Sequence, residues 1–174
     1  IQGHTISDVS AYCARSIFLN KLNDNTVFMA TGRPSQPGYY YVVSQANAWG
    51  QRFGASEFGT LADTHDSYTY SFDPQLWDDK QLISYADHGS SSWAGISSTK
   101  IPELENSVIF NDACSTCSSY SRNSFCNYAI RKGALAHMGA VDIAWTGNRI
   151  YMITMNALYK ENMTIGQAFQ KGWD

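Results

Sequence analysis

The sequence predicts an α/β protein: a three-layer α/β/α sandwich built on a mostly parallel sheet. Three observations predict it. Two short, nearly continuous apolar runs, "QLISYA" and "SVIFND", have the character of central parallel strands covered on both faces. Strand-like segments alternate with segments of helical period along the chain. The chain has 174 residues, 44 % hydrophobic and 16 % charged, enough for one domain with a real core. No repeat, low-complexity tract or linker divides it, so residues 1–174 read as a single domain. The chain begins at Ile1 rather than Met, and it reads as a portion of a longer precursor.

The elements follow in order. Apolar residues at Val9, Tyr12, Cys13, Ile17 and Leu22 recur at helical spacing. "NDN" breaks that helix. "TVFMATG" then reads as a buried strand of β-branched and aromatic residues. "RPSQPGYYY" is a loop, marked by two prolines and a glycine. Residues 43–53 suit a helix, and "DSYTYSFD" alternates as a half-exposed strand does. The runs "QLISYA" and "SVIFND" supply the next two strands. "SSYSRNSFCNYAIRKG" is a helix stopped by Gly133. "GAVDIAW" is read as the fourth apolar strand, and "YMITMNALYKEN" as a helix. Thr164 is placed to cap a last helix over "TIGQAFQKGW".

Composition narrows the partners. The net charge is −3, without a basic block or an acidic tail, so nucleic acid and anionic membranes are not expected partners. No apolar run approaches the roughly 20 residues of a membrane span. Sparse charge and plentiful Tyr, Ser and Asn lean toward a secreted or cell-surface protein. The four cysteines, Cys13, Cys114, Cys117 and Cys126, are too few for a disulfide scaffold.

Two strands end in reactive residues. "QLISYA" leads to His88 and "SVIFND" to Cys114, each followed by small residues. In a parallel sheet, functional groups gather beyond the carboxyl ends of the strands. The two residues are 114 − 88 = 26 positions apart, enough for a crossover that brings them together. A thiol attacks a carbonyl as thiolate, and an imidazole can take its proton and return it to a leaving amine. Gly89, Ser90 and Ser115 would let backbone N–H groups approach a substrate oxygen.

"ISYADHGSSSWAG" and "VIFNDACSTC" resemble the His-Gly and Ala-Cys blocks of the clan that includes caspases, legumains, clostripain and gingipains. The gingipain family is the one resembled most. The resemblance is carried by Tyr85, His88, Gly89, Ser90 and Trp93, then by Ile109, Phe110, Asp112, Ala113 and Cys114. "GAVDIAWTGNRIY" and "TIGQAFQKG" are similar to the family's following strand and helix. The resemblance implies a caspase-like fold and a cysteine endopeptidase acting on proteins or peptides, with no cofactor and no metal. Cys114 would be the nucleophile and His88 the general acid/base. The amides of Gly89 and Cys114 would form the oxyanion hole.

The sequence also departs from the family. Gingipains carry an acid after the first core strand that orients the histidine, whereas "ATGRPSQPGYYY" holds none. Asp87 stands beside His88 as one substitute, and Asp63, Asp66 or Glu57 as others. Arg specificity is not carried over, because its acid has no match in the same stretch. Trp93 is close enough in sequence to His88 to line the cleft. Tyr151 falls where the family places a pocket wall, with Arg149 close by. An inward Arg149 would favour an acidic substrate residue.

Other readings remain open at this level. A catalytically silent relative would keep the fold as a binding or structural domain. Cys114 and Cys117 fit a dithiol motif. Cys114, Cys117, Cys126 and His137 can be counted as metal ligands, but their spacing matches no standard zinc pattern. In a secreted protein, Cys117 and Cys126 can instead form a disulfide behind the nucleophile. His137 has the bland alternative of a satisfied strand-end histidine.

Overall fold

A computed structural model describes residues 6–7, 9–10, 13–14, 27–31, 77–78, 80–86, 88–93, 96–104, 106–118, 122–143 and 148–174. Residues 6–7, 9–10 and 13–14 are helical, in line with the helix read near the start. The readings for residues 43–53 and for "DSYTYSFD" lie outside the described residues, as do Asp63, Asp66, Glu57 and Asp87.

The fold is α/β, with helices and a small parallel sheet. Its strands are β1 (Val27–Thr31), β2 (Leu82–Ala86), β5 (Val108–Asp112) and β6 (Ala136–Gly139). They lie side by side in the order β1-β2-β5-β6, and all pairings are parallel. A hairpin of β3 (Ser92–Trp93) and β4 (Ile96–Ser97) forms a separate two-stranded sheet. A 3₁₀ turn at Ser98–Lys100 follows it. Three further helices follow along the chain: α1 (Phe125–Arg131), α2 (Asn148–Lys160) and α3 (Ile165–Trp173).

The continuous apolar runs make central strands for a physical reason. Phe28, Ile83 and Ile109 share one row of the sheet register, and each is fully buried. On this face they pack in one cluster with Tyr85, Trp77, Phe125 and Ala129. Leu82, Val108 and Phe110, which alternate to the other face, are buried too. Burial on both faces is what an unbroken apolar strand needs. Each such side chain contributes about 1.5–3 kcal/mol relative to exposure.

The crossover from β2 to β5 uses the hairpin and the 3₁₀ turn; no α-helix occurs in it among the described residues. The β5 to β6 crossover carries α1. Ser124 caps α1 by accepting from Asn127 N–H, and Gly133 follows the helix with φ 116°. Among the described residues, the helix read over "SSYSRNSFCNYAIRKG" spans Phe125–Arg131, with turns around Cys114–Cys117. Thr164 caps α3 as expected: its hydroxyl accepts from Gln167 N–H, and the Gln167 side chain accepts from Thr164 N–H.

One strand reading needs correction. The fourth parallel strand is Ala136–Gly139, not "GAVDIAW". Val141 and Ile143 are 55 % and 65 % exposed beyond its end. Hydropathy alone favours the later run. The sheet takes the earlier one because α1 ends at Arg131, and the short return leaves Ala136 opposite Val108. His137 consequently lies inside the strand, not at its end. No helix among the described residues is long and apolar enough to cross a membrane.

Candidate active site

The β2–β5 register builds the site. Ala86 pairs with Asp112 at the carboxyl ends of the two strands. Two residues further on, the chain reaches His88 on one side and Cys114 on the other. Neighbouring strands run about 4.8 Å apart. The two residues therefore leave adjacent strands at the same level, as the paired motifs predict.

The two turns also touch. A Cβ on Gly89 would lie 2.7 Å from Ala113 Cβ, 2.8 Å from Thr116 Cγ2 and 3.3 Å from the Cys114 carbonyl oxygen. Only a residue without a side chain lets the His88 turn rest on the Cys114 turn. Tyr85, 1 % exposed, reaches up from the strand and donates its hydroxyl to the His88 carbonyl at 3.3 Å. His88 itself is exposed. Beyond it, Ser90 N–H donates to Ser92 O, and Ser98 N–H to Ser91 O, which folds β3 and β4 beside the histidine. Trp93 lies in β3, the first strand after His88.

Cys114 is half-buried and outside any disulfide. The turn after it is tied down several times. Ser115 N–H donates to Asp142 O and Cys117 N–H to Ala140 O, each at 2.9 Å, so the turn is stitched to the segment leaving β6. Cys126 N–H donates to Thr116 O at 2.9 Å, and Thr116 Oγ1 donates to Ala113 O at 3.4 Å. Cys117 is bonded to Cys126, the disulfide expected for a secreted chain. This pairing leaves Cys117 no thiol to share with Cys114, so the Cys114–Cys117 dithiol does not form in this state. Ser115 has φ 54°, a left-handed conformation uncommon for a residue with a side chain. Such a conformation persists only where its surroundings hold it, and it often sits at functional turns.

His137 lies in the row of Phe28, Ile83 and Ile109. Its Nε2 is 3.3 Å from Asn111 Nδ2, its ring stands edge-on to Phe125, and its buried Nδ1 has no hydrogen-bond partner. Part of the residue reaches solvent, but Nδ1 does not. Burial pulls its pKa from 6.5 down to about 3, so the imidazole is neutral near pH 7. It is not the satisfied strand-end histidine of the bland reading.

Arg149 and Tyr151 lie in the first turn of α2. Their side chains, like those of Trp93 and Asp87, fall outside what is described. Several contributors escaped the sequence reading. Asp142 and Ala140 act through backbone carbonyls, which carry no sequence signal. Asn111 did leave one: it is a polar residue, 0 % exposed, inside an apolar strand. No family model, curated protein or solved structure matches the chain.

Proposed function

We propose that the chain is a cysteine endopeptidase of the gingipain-like type, with a caspase-like three-layer fold. It acts on proteins or peptides outside the cell or at its surface. One observation carries the reading: β2 and β5 pair in a parallel register that brings His88 and Cys114 level at the carboxyl edge of the sheet. The Gly89 contact and the bonded turn after Cys114 support it. The Cys117–Cys126 disulfide supports an oxidising compartment.

In this mechanism His88 takes the Cys114 proton. The thiolate attacks the scissile carbonyl carbon, and the Gly89 and Cys114 amides stabilise the oxyanion. His88 then protonates the leaving amine, and water hydrolyses the acyl-enzyme. Trp93, Arg149 and Tyr151 are the proposed pocket residues, and Asp87 the proposed partner that orients His88.

The test uses acyloxymethyl ketone peptides and iodoacetamide, with mapping of the adducts. Peptide labelling at Cys114 is expected, with peptide turnover falling about 10²–10⁴-fold in His88→Ala. Alkylation of Cys114 no faster than a model thiol, without turnover of any peptide, overturns the reading. The chain would then be a catalytically silent binding or structural domain.

A further inference from the structure

Cys117, Cys126 and His137 form a second cluster behind the Cys114 turn. One ligand atom from each, two sulfurs and a ring nitrogen, all lie within 4.8 Å of one another. They meet over Gly139, where a Cβ would stand 2.9 Å from Cys117 Sγ and 3.3 Å from His137 Nε2. Any side chain at position 139 would fill the place where these atoms converge. The carbonyl oxygen of His137 lies 3.8 Å from Cys126 Sγ, so strand and sulfur are in contact. The Nε2 that faces this place also meets Asn111 Nδ2 at 3.3 Å, a contact a cation would replace, while the buried Nδ1 has no hydrogen-bond partner. Nothing in the proposed peptidase chemistry uses these three residues as ligands.

We propose that Cys117, Cys126 and His137 are a redox-gated binding site for a borderline-soft divalent cation of the zinc class. In the oxidised protein the disulfide closes the site. A dithiol or phosphine reductant opens it with two electrons. With a dithiol, the S–S bond breaks, two S–H bonds form, and the reductant leaves as its own disulfide; with a phosphine, water supplies the two protons and its oxygen ends on phosphorus as the phosphine oxide. The cation then displaces the two thiol protons to solvent. It forms two metal–sulfur bonds and one metal–nitrogen bond, and water completes a tetrahedral set.

The dimensions fit. Bonds of about 2.3 Å to sulfur and 2.0–2.1 Å to nitrogen place tetrahedral ligand atoms roughly 3.5–3.8 Å apart. The widest present spacing, 4.8 Å, has to close by about an ångström, while the two sulfurs part from bonding distance once the disulfide is reduced. Sulfur and imidazole together suit zinc rather than calcium or magnesium. The sequence spacing did not single out the site, because its ligands come from a turn, a helix and a strand, not from a CxxC-type turn.

The test reduces the protein with a phosphine in a Cys13→Ser/Cys114→Ser background, so that only Cys117 and Cys126 offer thiols. Cobalt(II) is then titrated. One equivalent should give a thiolate-to-cobalt charge-transfer band and the visible bands of a tetrahedral centre, absent in the unreduced protein. Adding Cys126→Ser should remove the charge-transfer band of the two-sulfur site. Zinc added to the reduced protein should shift the ring-nitrogen resonances of His137 in long-range ¹H–¹⁵N spectra, which needs no histidine variant. An unmoved His137, a cobalt spectrum unchanged by Cys126→Ser, or unfolding on reduction that cobalt does not reverse overturns the proposal.

Discussion

The two sides of the candidate site are held in different ways. The Cys114 turn is bonded to the segment leaving β6 through the Asp142 and Ala140 carbonyls, to α1 through Cys126 N–H, and covalently through Cys117–Cys126. The His88 turn is exposed, rests on the other turn through Gly89, and takes a hydrogen bond from Tyr85. The Cys114 side is fixed by chemistry that survives small shifts. The histidine side is held by the fit at Gly89 together with the Tyr85 hydrogen bond. Damage to the first should lower stability and alter the thiol, whereas damage to the second should misplace the imidazole while the core persists.

The largest effect is expected from Cys117→Ser/Cys126→Ser. Opening a loop of 9 residues' separation should cost about 2–3 kcal/mol, read by urea denaturation. The rate of Cys114 alkylation should change with it. An unchanged alkylation rate would show that the disulfide does not brace the nucleophile. Next is Gly89→Ala, whose Cβ meets Ala113 Cβ, a neighbour with no flexible end to yield. Overpacking of this kind costs about 1–3 kcal/mol. Peptide turnover should fall further than that of a matched exposed variant such as Ser90→Ala. Equal stability for Gly89→Ala would mean that the two turns do not rest on each other.

A smaller effect concerns pH. The unfolded chain protonates His137 near 6.5, whereas the folded chain does so only near 3. The unfolded state therefore binds more protons between these values, so the contribution is complete above about pH 6.5 and is lost as pH falls toward 3. In urea melts, His137→Gln should flatten the slope between pH 5 and 6.5. An identical slope would refute a neutral, buried imidazole. The smallest effect is expected from Ser115→Gly. It relaxes a left-handed residue and should change stability by no more than about 1 kcal/mol, in the stabilising direction. A clear loss of stability would show that the Ser115 side chain holds the turn.

The central strands were legible because both faces are buried, so "LISYA" and "VIFND" carry no polar alternation to confuse the reading. The placement of His88 and Cys114 beyond neighbouring strands was legible for the same reason, since each follows such a run. The cap at Thr164 was legible from purely local chemistry. Strand β6 was not: Ala136–Gly139 is four residues long, with a histidine and a glycine in it, and more apolar residues follow. Its position depends on where α1 ends, which is a tertiary fact. The bonds to Asp142 and Ala140 were illegible because any residue offers a carbonyl. The hairpin of β3 and β4 was missed because two-residue strands have no period to detect.

The strand order has a kinetic consequence. Residues paired between β2 and β5 are 108 − 82 = 26 apart, and those between β5 and β6 are 136 − 108 = 28 apart. Pairing β1 with β2 instead joins residues 82 − 27 = 55 apart. Doubling a loop adds only about 0.6 kcal/mol to its closure entropy, so the final stability hardly registers the difference. The order of assembly should register it, because short-range pairings form before long-range ones. The β2–β5–β6 unit, which carries both His88 and Cys114, is then the nucleus of the sheet. Strand β1 docks onto an edge that has already been built.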